Sequence, residues 1–273
     1  MIREFFLKFL IRHYRRQCLF GLNSDLNAEL KYLNAVTNDN QKNYQVWYHR
    51  LAILEKLGTV SAEEELSFID TIFDEDSKNY HAWAHRQWVV KRFNLWQVEM
   101  QCIDKLLTKD LRNNSAWNHR FYVLKHTKGT VPQDQAAAPP KFIDYDLSDQ
   151  VRCEELDYAF NFIKSAPNNE SAWNYLYGIA SYKGGSDAAM QKLLAIAMDL
   201  LKRAPINVFA HWVIVEFAEY RVNKHKDSLT KDERVNLLQD AAKRCEQIAK
   251  LDGIREKYWL SRKAALEAQA SAL

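Results

Sequence analysis

The sequence predicts an all-α protein with the architecture of an α-α superhelix, a solenoid of antiparallel helical hairpins. Three observations lead to this prediction. A tryptophan-centred motif recurs along the 273 residues, apolar residues at helical spacing precede the copies, and only 7 glycines and 5 prolines interrupt the chain. A period of roughly 20–50 residues is typical of stacked supersecondary units that bury their apolar faces against their neighbours.

The motif is clearest at residues 42–57, KNYQVWYHRLAILEKL, and returns at 78–93 as KNYHAWAHRQWVVKRF. The tryptophans of the four clear copies stand at positions 47, 83, 117 and 173, which are 36, 34 and 56 residues apart. We predict a single domain over residues 1–273. Its repeats are expected at 43–57, 79–93, 113–127 and 169–183, with a degraded copy near 8–20 and weaker copies at 207–221 and 257–268.

Each copy is expected to be the second helix of a hairpin. An asparagine opens each clear copy, and asparagine is a preferred helix N-cap (Asn43, Asn79, Asn113 and Asn169). Helical patterns at 25–37, 61–76 and 95–110 precede the first three copies. We interpret the tryptophans as core and the arginines three residues later as paired contacts between hairpins (Trp47, Trp83 and Trp117; Arg50, Arg86 and Arg120).

Two segments depart from the repeat pattern. Residues 127–150 contain three prolines and a run of alanine and glutamine, which predicts a loop insertion.

The first twenty residues are apolar and basic, and Glu4 is their sole acid. A signal peptide is disfavoured because Lys8 interrupts the apolar stretch, while a mitochondrial presequence stays open. The third interpretation is a degraded first repeat, with Phe9 and Arg12 at the positions of the expected tyrosine and tryptophan.

Composition excludes several classes of function. The net charge of +3 is too small to indicate a nucleic-acid binder, and no apolar stretch has transmembrane length. The four cysteines form no CxxC pair, which favours reduced thiols in a cytoplasmic protein (Cys18, Cys102, Cys153 and Cys245). His81 and His85 have a spacing that can bind zinc, but no third ligand is apparent nearby, so we expect no metal in this chain. The chain carries no complete catalytic motif of its own.

The candidate functional residues lie at the turns that open the motif helices. Lys42 and Tyr44 flank the Asn43 cap, and His81 follows the Asn79 cap by two residues. A helix N-terminus carries free N–H groups and a partial positive charge, so two such ends side by side would suit a polyanion such as a diphosphate. The alternative is that these are ordinary caps beside a solvated lysine.

The motifs KNYQVWYHR, KNYHAWAHRQWV, RNNSAWNHR and PNNESAWNYL resemble the repeats of the α subunit shared by protein farnesyltransferase and protein geranylgeranyltransferase type I. The resemblance covers roughly residues 25–183 and weakens towards the C-terminus. It implies a crescent of helical hairpins wrapped around a β subunit, in a heterodimer that is inactive without both chains. Such an enzyme transfers a farnesyl or geranylgeranyl group from its diphosphate to the cysteine of a C-terminal Caax sequence. The resemblance implies no cofactor in this chain and zinc in the complex through the β subunit, with magnesium left open as a second ion.

The resemblance also implies roles for four residues. Lys42, Tyr44 and His81 match the residues that the family places beside the isoprenoid diphosphate, and we expect them to be catalytic. Gln45 matches the family's contact to the C-terminal carboxylate of the Caax substrate. Where the family's first repeat carries tyrosine and tryptophan, this chain has Phe9 and Arg12. A truncated isoform and an incomplete gene model are both open.

Two other functions stay open at this stage. A helical-repeat scaffold would need the tryptophan core but not the turn residues. An α subunit of Rab geranylgeranyltransferase shares the N-x-x-x-W-x-H-R core of the motif, but the flanking residues here are more similar to the farnesyltransferase form.

Overall fold

The computed structural model describes residues 2–58, 61–135 and 143–273, and within these ranges it confirms an all-α hairpin solenoid. These described residues form thirteen α-helices in sequence, and the only β-type pairing among them is an isolated bridge between Thr130 and Asp146. The helices are α1 Ile2–Gly21, α2 Leu26–Asp39, α3 Tyr44–Leu57, α4 Ala62–Glu75, α5 Tyr80–Phe93, α6 Trp96–Lys109, α7 Asn114–Lys128, α8 Asp149–Ser165, α9 Glu170–Ser181, α10 Asp187–Arg203, α11 Val208–Lys224, α12 Lys231–Leu251 and α13 Glu256–Ser271.

The predicted caps and leading helices are confirmed. The side chain of each motif asparagine accepts a backbone N–H of the first turn, at α3, α5, α7, α9 and α11 (Asn43, Asn79, Asn113, Asn169 and Asn207). The three predicted leading helices are α2, α4 and α6, within two residues at each end. Helix α10, which precedes the weak copy at 207–221, is a further leading helix that was not among the predicted ones.

The chain divides into two compact units, Met1–Lys105 and Leu106–Leu273. In the first unit, Leu33 of α2 packs with Val46 and Ile53 of α3. In the second, buried residues of α11, α12 and α13 form a larger apolar cluster that includes Val215, Cys245 and Trp259. The prediction of one domain over residues 1–273 stays a prediction.

A backbone carbonyl links consecutive repeats through the tryptophan and the cap asparagine. In the first unit, the carbonyl oxygen of Gln41 accepts Nε1–H of Trp47 at 2.7 Å and an Nδ2–H of Asn79, in the next repeat, at 3.2 Å. In the second unit, the carbonyl of Leu111 accepts from Trp117 at 2.9 Å and from Asn169 at 2.7 Å. The motif residues are therefore structural, because they fix one hairpin to the next.

The arginines of the motif are buried in ion pairs, as predicted. Arg50 and Arg86 bind carboxylates of the next leading helix, Glu65 and Glu99, with less than a twentieth of either side chain exposed. Arg120 does the same with Glu155 of α8, beyond the insertion. Each partner carboxylate is bidentate, which is the strongest geometry for an arginine–carboxylate pair.

Helix α1 spans the segment where the spacing predicts a degraded copy, and that assignment stays a prediction. Arg15 stands 35 residues before Arg50 and pairs with Glu29 of the next leading helix, as the motif arginines do (Nη2 to Oε2, 2.5 Å). The side chain of Phe9 lies outside the described residues. The predicted insertion at 127–150 is shorter in the structure, because α7 continues to Lys128 and α8 begins at Asp149; its Ala-Pro-Pro section also lies outside the described residues.

Candidate functional site

Lys42 lies immediately before the cap of α3. The side chain of Asn43 accepts the backbone N–H of Gln45 at 3.0 Å, which fixes the turn and directs the chain into the helix. The Lys42 side chain is 85 % exposed, and its Nζ lies 3.7 Å from Oδ2 of Asp76. An ion pair of this length at the surface contributes little to stability, so the ammonium remains available to an anion.

Tyr44 and His81 come together from consecutive repeats. Their ring centroids lie 6.3 Å apart, and Tyr44 also stacks on Tyr48 of its own helix at 6.0 Å. His81 has an edge contact with Tyr80, at 5.6 Å between centroids. Tyr44 is 59 % exposed, so its phenol is open to solvent. The structure thus joins Tyr44 with His81 at the first turns of α3 and α5, and it places Lys42 beside Asp76.

Gln45 differs from the other three candidates because it is buried, with only 5 % of its surface exposed. Its Nε2 amide group has no hydrogen-bond partner among the described residues. A buried donor without a partner costs about 1–3 kcal/mol. The amide is therefore a donor that the fold itself does not use, one residue beyond Tyr44 on α3.

His85, four residues after His81 on α5, is held by a buried hydrogen bond. Its Nε2 lies 2.9 Å from Oε2 of Glu65, and its ring stacks on Trp88 at 5.6 Å between centroids. Across residues 2–58, 61–135 and 143–273, no group of three or more histidine, cysteine or acidic side chains could hold a metal ion.

Burial sets the charge states around His85. Burial lowers the pKa of His85, although the hydrogen bond to Glu65 opposes this. For Glu65, burial raises the pKa, but the hydrogen bonds from His85 and Arg50 outweigh it and hold the pKa below its usual range. In the folded chain an ionised Glu65 therefore accepts from a neutral imidazole and from a guanidinium.

Sequence reasoning missed two carboxylates of this region, Asp76 beside Lys42 and Glu65 beside His85. Asp76 lies at the end of α4, and Glu65 lies 20 residues before His85. A signal was present, because Glu29 also precedes its partner His49 by 20 residues. That recurrence could have identified the acidic partner of each motif histidine.

In the described part of the chain, no helix combines the length and the apolar character that a membrane crossing requires.

The comparisons with known proteins agree with this geometry. The family model "Protein prenyltransferase alpha subunit repeat" matches residues 26–57, 62–93, 96–127 and 153–182. Each match spans a leading helix and the motif helix that follows it, from α2–α3 to α8–α9. The chain belongs to the protein prenyltransferase α-subunit family. The resemblance drawn from the sequence is thereby confirmed.

A solved structure extends the prenyltransferase likeness over nearly the whole chain. It is the Candida albicans protein geranylgeranyltransferase-I complexed with GGPP. The match has a TM-score of 0.70 and 26% sequence identity, and it covers 94% of this chain and 78% of that chain. The similarity therefore extends beyond the four matched repeats.

Proposed function

We propose that this chain is the α subunit of a heterodimeric protein prenyltransferase, of the kind shared by farnesyltransferase and geranylgeranyltransferase type I. The enzyme would transfer a farnesyl or geranylgeranyl group from its diphosphate to the cysteine of a C-terminal Caax sequence. The family match and the likeness to a geranylgeranyltransferase-I complexed with GGPP support this proposal. In the proposal, the β subunit holds the zinc, and the complex is cytoplasmic.

One observation carries the proposal: an exposed ammonium lies just before the cap of α3, and two ring donors lie at the first turns of α3 and α5. Lys42 is 85 % exposed, and the Tyr44 and His81 rings lie 6.3 Å apart. When the prenyl carbon is attacked by the thiol sulfur, the bond to the diphosphate breaks and negative charge builds on the leaving group. Donors fixed at that position stabilise the transition state more than the ground state.

Gln45 has a separate role in the proposal, at the peptide rather than the diphosphate. Its buried Nε2 amide group lacks a partner among the described residues and can donate to a carboxylate. We assign it to the C-terminal carboxylate of the Caax substrate. A substrate oxygen at this position would satisfy a donor that the free chain leaves unused.

The experiment is co-expression of the full chain with a farnesyltransferase β subunit and, separately, with a geranylgeranyltransferase type I β subunit. Co-purification is followed by a prenylation assay with a Caax peptide. A stable and active pair supports the proposal, and the β subunit that gives activity identifies the isoprenoid. A folded chain that pairs with neither β subunit would favour a scaffold. Activity only on double-cysteine Rab substrates with an escort protein would favour the Rab enzyme.

A further inference from the structure

A second tyrosine of α3 supports Tyr44 from one side. Tyr44 and Tyr48 stand four residues apart, so both side chains project from the same face of the helix. Their rings are nearly parallel, with 19° between the planes and 6.0 Å between the centroids. This separation lies within the range of an attractive contact between aromatic rings. The two tyrosines therefore form a stack at the start of α3.

Arg16 of α1 holds Tyr48 in turn. The guanidinium carbon of Arg16 lies 5.0 Å from the centroid of the Tyr48 ring, which is a cation–π contact. Arg16 is itself buried, and its Nη1 lies 3.2 Å from Nδ1 of the buried His49. Nε2 of His49 lies 2.9 Å from Oε1 of Glu29 on α2. The stack thus begins in the interior of the first unit and reaches solvent at Tyr44.

The next repeat shows what the stack changes. Tyr80 occupies the position of Tyr44 at the first turn of α5, but Ala84 stands four residues later, where α3 has Tyr48. Tyr80 is 77 % exposed, compared with 59 % for Tyr44. A ring that is covered on one face by another ring has less rotamer freedom than a ring that is open to water. Tyr48 therefore restricts Tyr44 in a way that Ala84 cannot restrict Tyr80.

We propose that Tyr48 is a positioning residue, which holds the phenol of Tyr44 in place for the leaving diphosphate. This inference rests on the proposed function, because it takes Tyr44 as a donor to the diphosphate. A donor that is already oriented requires no reorganisation when charge develops, whereas a freely rotating phenol is misplaced for part of the time. Tyr48 acts through the Tyr44 ring and not through its own hydroxyl group.

The test is a double-mutant cycle on the turnover of the co-expressed heterodimer. We expect Tyr48→Ala to lower kcat about 2- to 10-fold, the usual contribution of one aromatic pair. In a Tyr44→Phe background the same substitution should have no effect, because no phenol remains to be positioned. Tyr48→Phe keeps the stacked ring and should keep full turnover. Tyr14→Ala, the same truncation at an exposed tyrosine of α1, is the control and should also keep full turnover.

The outcomes separate this inference from the function on which it rests. An unchanged kcat in Tyr48→Ala, or an equal loss in both backgrounds, would overturn the positioning role of Tyr48. A loss in Tyr48→Phe as large as that in Tyr48→Ala would also overturn it, because the hydroxyl group would then act directly. Full turnover in Tyr44→Phe would remove Tyr44 from the proposed site, and the inference with it.

A second readout does not require activity. In the full chain labelled with fluorotyrosine, the fluorine resonance of Tyr44 is identified by its loss in Tyr44→Phe. Tyr48→Ala removes the neighbouring ring and should shift this resonance towards that of free fluorotyrosine, while Tyr14→Ala should leave it in place. A Tyr44 resonance that does not move in Tyr48→Ala would overturn the proposal, even if no β subunit gives an active pair.

Discussion

Arg50 donates two hydrogen bonds to the carboxylate of Glu65, from Nε at 3.0 Å and from Nη2 at 2.5 Å. The pair joins α3 of one hairpin to α4 of the next, and it is almost fully buried. Oε2 of the same carboxylate also accepts from Nε2 of His85 on α5. One glutamate therefore holds two consecutive motif helices together, so we expect the stability of the first unit to depend on it.

The first prediction concerns removal of the Glu65 charge. Glu65→Gln keeps the shape of the side chain but leaves the buried Arg50 guanidinium without a counter-charge. We expect a loss of about 3–5 kcal/mol in the free energy of unfolding. Urea unfolding followed by far-UV circular dichroism measures it. The matched control is Glu63→Gln, an exposed change on the same helix, which should shift stability by no more than about 0.5 kcal/mol. Equal midpoints for the two variants would contradict the role of Glu65.

The second prediction is that the first unit loses stability in mild acid. Burial lowers the pKa of His85 in the folded chain, so below the ordinary value of 6.5 the unfolded chain binds more protons than the folded chain. The contribution of His85 to the free energy of unfolding therefore has its full value above about pH 7. It falls as the pH decreases through the pKa that the histidine has in the unfolded chain. Glu65, whose pKa is also lowered, adds a further loss as pH falls below its ordinary value of 4.5.

Thermal unfolding at pH values from about 8 to about 5 measures this dependence. His85→Gln keeps a donor to Glu65 but does not titrate, so the midpoint of this variant should change less with pH than that of the unmodified chain. His13→Gln, the same substitution at an exposed histidine of α1, is the matched control. A midpoint that stays constant over this range in the unmodified chain would refute the prediction.

The fold could be predicted because the residues that recur in the tryptophan motif are the same residues that pack between consecutive hairpins. Trp47 and Trp83 recur at a spacing that only stacked hairpins explain, and the cap asparagines mark the helix starts. Helix α10 was missed because it carries no motif residue. Its buried positions include Met190, Leu193 and Ala197, an ordinary amphipathic pattern without a tryptophan.

The candidate site could be predicted only in part. Stacking of consecutive repeats brings the first turns of α3 and α5 together, so the proximity of Tyr44 and His81 followed from the period. The burial of Gln45 could not be predicted in this way, because no feature of the neighbouring sequence indicates that Gln45 is buried while Tyr44 is exposed. The placement of Asp76 beside Lys42 also depends on where α4 ends, which a spacing argument resolves only to within a few residues.

The third prediction tests the role of Lys42 in the proposed heterodimer. Lys42→Ala removes an ammonium from the leaving diphosphate, and we expect turnover to fall about 10²- to 10³-fold, the usual effect of losing one fixed donor to developing negative charge. Heterodimer formation, measured by size-exclusion chromatography, should be unchanged because the side chain is 85 % exposed. Lys91→Ala, at an exposed lysine in the last turn of α5, is the control and should keep full turnover. Unchanged turnover in Lys42→Ala would remove this residue from the site.

The fourth prediction separates fold from substrate binding at Gln45. Gln45→Met replaces a buried amide by an apolar side chain of similar size, so the stability of the free chain should be unchanged or higher, since the Nε2 group has no partner there. In the heterodimer the same variant should raise the KM for the Caax peptide about tenfold or more, because the substrate carboxylate loses a hydrogen-bond donor. A hydrogen bond to a charged group contributes about 1.5–3 kcal/mol. Urea unfolding and steady-state kinetics measure the two effects.

Gln45→Glu is the complementary variant, which should weaken peptide binding further by placing like charges together. A destabilised free chain with an unchanged KM would assign Gln45 to the fold alone.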